Sequence, residues 1–134
     1  MTRAACHEPS WPQPQRDRLA ALLDAQRTDP STTWIGYWCS DQWGRASNGG
    51  DTSVYVSRGL VQEVGGPLEL CTRHALHATS EPHRWRGCRV WIVALFGERQ
   101  TEGAKCGALR REIIGEILPG DCIDPSIAIR MGLR

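Results

Sequence analysis

No stretch of this chain approaches the ~18 consecutive apolar residues of a membrane-spanning helix. The N-terminal Met1–Pro9 has no apolar run, so no secretory signal is expected and the cytoplasm is the expected compartment. An excess of one charge sign is also missing: 16 basic and 15 acidic residues leave a formal charge of +1. That argues against an acidic DNA mimic and against a basic nucleic-acid coat as the main role. Nucleophile elbows of the form Gly-x-Ser-x-Gly are absent, as are Gly-x-x-x-x-Gly-Lys phosphate loops and Gly-x-Gly-x-x-Gly dinucleotide turns. There is no Cys-x-x-Cys pair, no internal repeat and no linker long enough to divide the chain. Without a secretory signal, the six cysteines are expected to be reduced thiols.

What is present suits one globular domain over residues 1–134, with 40% hydrophobic and 23% charged residues. Residues 1–15, with three prolines around Trp11, read as an extended arm, and 121–134 as a C-terminal tail. Between them the pattern is α+β: an N-terminal helix packed on a mostly antiparallel sheet. The helix is expected over 16–27, where Leu19, Leu22 and Leu23 fall on one face with Gln26 behind them, and Asp29-Pro30 ends it. Strands are expected at Thr33–Cys39, Ser53–Ser57, Leu60–Val64 and Leu68–Cys71, with a helical turn at 74–79. The most apolar run, Val90–Phe96, reads as the central strand. Residues 104–118 fit either period: Leu109, Ile113 and Ile117 lie on one side of a helix or of a strand. Trp34, Trp38 and Trp91 are expected in the core.

Chemistry concentrates between Leu68 and Gly97. Cys71, His74 and His77, with Cys88 behind, are the residue types of a zinc site, and a zinc-stabilised structural protein is one alternative. The spacing is not that of an established zinc motif. A cysteine beside locally hydrogen-bonded histidines is the plainer reading, and no cofactor is expected. From Arg73 to Arg89 four arginines, Arg73, Arg84, Arg86 and Arg89, stand against one acid, Glu81. With His77 and Trp85 they make the candidate contact surface, because guanidinium forks grip phosphates and carboxylates while tryptophan stacks or anchors. Among Glu98, Glu102, Glu112 and Glu116 a pair could do acid–base work, but Glu112 and Glu116, at i, i+4 of a helix with Arg110 and Arg111 beside them, are more simply a solvated face.

The pattern Gly66-Pro67-Leu68-x-Leu70-Cys71-x-x-x-Ala75-Leu76-His77-Ala78-Thr79, then Trp85-x-Gly87 and Val90–Leu95, resembles a family of small uncharacterised bacteriophage and prophage proteins. So do Lys105 and Ala108-Leu109-x-Arg111-Glu112-Ile113-Ile114. The resemblance covers residues 54–118 and departs at His74, where glycine is expected. It implies context, not chemistry: small phage accessory proteins often act by binding, to block a host defence enzyme or to sequester a signal nucleotide. The expected partner is accordingly a host protein or an anionic small molecule, met through residues 73–89. The alternative is a nucleotide-binding protein or an ADP-ribosyltransferase-like enzyme, for which His77, Tyr55 and Glu112 are the available set. A deep pocket favours the small molecule and a flat patch the protein.

Overall fold

The computed structural model describes residues 10–47, 51–82, 87–118 and 121. Helix α1 spans Gln13–Thr28, and five strands follow: β1 Thr33–Ser40, β2 Val61–Glu63, β3 Leu76–Thr79, β4 Arg89–Glu102 and β5 Lys105–Ile117. Every strand pair is antiparallel. The architecture is α+β, as the residue pattern predicts. Residues 104–118 resolve as strand, because β5 is the partner of β4 along nearly its whole length.

β4 and β5 form one long hairpin. Its two-residue turn puts Gly103 at φ +61, a conformation glycine adopts without steric cost. The ladder shifts register between Phe96 and Arg99, beside Gly97 at φ +79, and this bends the hairpin. Beyond the bend β5 pairs with β3, while nearer its C-terminus it pairs with β2. β1 lies on the other side of β4, from Thr33↔Phe96 to Ser40↔Arg89. A single pairing, Tyr37↔Thr79, joins β1 to β3 and closes the ring β1–β4–β5–β3. Val90–Phe96 is thus flanked on both edges, by β1 and by β5, as its continuous apolar run requires.

Strand alternation divides the core in two. Ile35, Tyr37, Ile92, Ala94 and Ile114 face α1, where Leu22 is buried and Leu19 and Leu23 pack beside it. Trp38, Trp91, Val93, Leu95 and Ile113 face the opposite way, with Ala78, Cys106 and Ala108. Trp34 is only partly buried, its ring standing over Gly36. The helix is fixed by polar contacts as well. Gln26 Oε1 accepts from the Ile35 amide at 2.6 Å, and the Arg18 guanidinium grips Glu112 with two bonds of 2.9 and 2.7 Å.

Several expectations need correction. Ser53–Ser57 is not a strand of the sheet, although its alternation survives: Val56 is buried between exposed Tyr55 and Ser57. Leu68–Cys71 is a loop, with Cys71 at φ +63, outside the β region. Leu70 still docks, because Gly107 leaves it room. The helical turn expected at 74–79 is instead β3, since its register with Lys105–Ala108 satisfies its backbone. The helix begins at Gln13, so the arm is shorter than 1–15. Glu112 and Glu116 are not a solvated helix face: both lie on β5, paired with Arg18 and Arg89. Residues 122–134 of the expected tail lie outside the described residues.

Trp11 seals the end of the helix-side core. Its indole lies against Gly115 and donates Nε1–H to the Glu116 carbonyl at 2.9 Å. A Cβ at Gly115 would sit 2.5 Å from the ring. Gly115→Ala should therefore displace Trp11 and cost ~1–3 kcal/mol, as overpacking does. Urea titration with tryptophan fluorescence checks this, and an unchanged midpoint would mean that the indole does not hold the arm.

Candidate functional site

Arg111 is the least expected residue of the structure. Neighbours on a strand point to opposite faces, so Glu112 reaches α1 while Arg111 enters the inner face with Ile113. Arg111 sits opposite Leu95 on β4 and Gln62 on β2, and it is 4% exposed. Its guanidinium carbon lies 4.4 Å from the centre of the Trp38 ring, a cation–π distance. Nε and Nη2 donate to Gln62 Oε1 at 3.2 and 2.7 Å, and Nη1 donates to the His77 carbonyl at 2.8 Å. Three of its five N–H groups are used, leaving one on each terminal nitrogen. Among the described residues no carboxylate reaches it. Burial pulls its pKa from 12.5 down to about 9, so at neutral pH the group is charged, with no carboxylate bound to it among the described residues.

A cleft of ≈ 150 Å³ opens against this guanidinium. Asp51, Gln62, Thr72, Arg73 and His77 supply polar lining, with Asp51 exposed, and Val54, Val56, Val64 and Leu76 supply apolar wall. The loop after β1 and the segment before β3 thus converge on β5.

His77 is held neutral beside it. Nε2 accepts from the Cys71 amide at 2.9 Å, which leaves the ring proton on Nδ1. Burial, then the positive charges of Lys105 and Arg111, push its pKa from 6.5 to about 4. Because the folded value is depressed, the unfolded chain takes up the proton first as pH falls. This contribution to stability is therefore complete above pH 6.5 and is lost between 6.5 and about 4. Wild type should lose roughly 3 kcal/mol more than His77→Gln over that window, at 1.36 kcal/mol per pKa unit. Equal losses of unfolding free energy by the two proteins between pH 6.5 and 4, from urea titrations, would contradict this.

The residues singled out in sequence separate in space. Arg73 and His77 line the cleft. Arg89 does not: it forms a two-bond pair with Glu116, both bonds 2.8 Å, and lies 4.6 Å over the Trp91 ring. Arg84, Trp85 and Arg86 lie outside the described residues. The four zinc candidates do not assemble. His74 Nδ1 donates to the Gly65 carbonyl at 2.6 Å, Cys71 Sγ lies 2.9 Å from Lys105 Nζ, and Cys88 is exposed. No group of three or more His, Cys, Asp or Glu side chains is placed to hold a metal among the described residues. The described cysteines, Cys39, Cys71, Cys88 and Cys106, are free thiols. No described helix is long and apolar enough to cross a membrane. Nor do His77, Tyr55 and Glu112 share one pocket: Tyr55 is exposed under Arg45, and Glu112 is bound to Arg18 on the helix side.

Trp38 and Gln62 carry no motif that would have marked them, and Arg111 stood in the pattern that carries the resemblance without a role attached to it. One signal existed, an arginine two residues before Ile113 in a segment that could be a strand, since that spacing turns the charge inward. No family model, curated protein or solved structure matches the chain. What the cleft can do is therefore set by its own residues.

Proposed function

We propose that this protein is a binding module, of the phage accessory kind, that receives an anionic small molecule in the Arg111 cleft. The observation that carries this is a buried guanidinium facing an open cleft, with no carboxylate bound to it among the described residues. Buried charges are ordinarily paired, because an unpaired one is costly to desolvate. An incoming anion supplies the missing charge and uses the spare N–H groups. Trp38 fixes the guanidinium plane from one side, and Gln62 and the His77 carbonyl fix its orientation. The site is thus organised before the ligand arrives, which lowers the cost of binding. A concave site favours a small molecule over a flat protein surface. Small-molecule sites commonly run to 300–1,000 Å³, so ≈ 150 Å³ favours a ligand smaller than a nucleotide.

Thermal unfolding at constant ionic strength tests this, with chloride replaced stepwise by acetate or by phosphate. A ligand that binds only the folded chain adds about 2.7 kcal/mol at a hundred times its Kd. One of the two anions should raise the Tm of the wild type with saturation and leave that of Arg111→Met unmoved. Equal responses in both proteins, or no response beyond chloride, would refute the cleft as an anion site.

A further inference from the structure

Resting on that reading, we infer that the ligand of the Arg111 cleft is a short-chain aliphatic monocarboxylate. Charge matching comes first. Arg111 is the one buried cation of the cleft, and His77 is neutral beside it. Arg73 and Asp51 are both exposed at the rim, where solvent screens them. The interior therefore offers one positive charge. A carboxylate carries one negative charge and is matched. A phosphate monoester carries about −1.5 to −2 at pH 7, and the excess would be desolvated without a partner.

The donor count agrees. Arg111 has one N–H left on each terminal nitrogen, and the two oxygens of a carboxylate can accept both.

The wall behind supplies the rest. Val54, Val56, Val64 and Leu76 face the same space. A cleft of ≈ 150 Å³ has room for a carboxylate and a few carbons. A wholly polar anion would leave those valines against water, whereas a branched or linear aliphatic tail covers them.

Calorimetric titration of the full chain at pH 7 and fixed ionic strength, with isobutyrate, acetate and methyl phosphate, decides the matter. Isobutyrate should bind at least tenfold tighter than acetate, since each of its two extra carbons contributes up to about a factor of four when buried. Methyl phosphate should bind more weakly than acetate. Methyl phosphate binding tighter than isobutyrate would overturn the monocarboxylate inference and leave the anion cleft standing. No binding by any of the three would overturn both. Val64→Thr keeps the side-chain shape and replaces one methyl of the wall by a hydroxyl, at a partly buried position. It should cut the preference for isobutyrate over acetate to threefold or less. A preserved tenfold preference would place the tail away from the valine wall and overturn the inference.

Discussion

Trp91→Ala should lower the unfolding free energy by ~3–5 kcal/mol, the range for a large aromatic removed from a packed core. Trp91 is 3% exposed at the middle of the structure. It lies opposite Trp38 on β1 and Glu116 on β5, so its removal opens a void between two strand pairs. Its Nε1–H is donated to Ser40 Oγ at 2.9 Å, and Ser40 is itself fully buried, so the hydroxyl loses a partner as well. Arg89 loses the ring beneath its guanidinium. Denaturant titration gives the value directly. A loss below ~1 kcal/mol would mean that β4 is not the strand on which the core is built.

The second large effect has the opposite sign. Arg111→Met should leave the free protein as stable as wild type, or more stable by up to ~3 kcal/mol. Lowering the Arg111 pKa from 12.5 to about 9 corresponds to a burial cost on the order of 5 kcal/mol. Three hydrogen bonds to neutral carbonyl oxygens, at about 1.5–3 kcal/mol each for a charged donor, offset most or all of that. Methionine keeps the apolar stem against Trp38 and carries no charge. Replacing buried ionic groups by apolar ones of similar volume is often neutral or stabilising. The free chain would thus gain little net stability from Arg111, and a bound anion would add to it. A loss above ~3 kcal/mol would instead make Arg111 a structural residue, and the cleft a by-product of it.

The elements legible in the sequence are those whose pattern is local. Leu19, Leu22 and Leu23 mark the buried face of α1 without reference to anything else, and Val90–Phe96 is apolar enough to announce two flanking strands. Ser53–Ser57 has the alternation of a strand, but alternation records only burial. Membership of a sheet needs a partner edge, and that is set by distant residues. Cys71 sits at positive φ, which a short run of strand-forming residues does not foretell. Counting charges from Arg73 to Arg89 found a basic segment and could not show that Glu116, 27 residues beyond Arg89, neutralises part of it.

Arg111 escaped for a related reason. While residues 104–118 stood open between helix and strand, Arg111 lay between Arg110 and Glu112 and read as surface. Only the strand period turns it inward beside Ile113, and only the fold brings Gln62 and Trp38 to it. Functional groups of this kind are assembled across strands and leave no spacing to find.

The most direct measurement is the arginine side-chain ¹⁵N–¹H spectrum during titration with isobutyrate. The Arg111 Nε–H resonance should shift and saturate at the calorimetric Kd, while those of Arg45 and Arg89, held by Asp41 and Glu116, stay in place. Equal small shifts of all arginines, or a fixed Arg111 signal, would contradict the account.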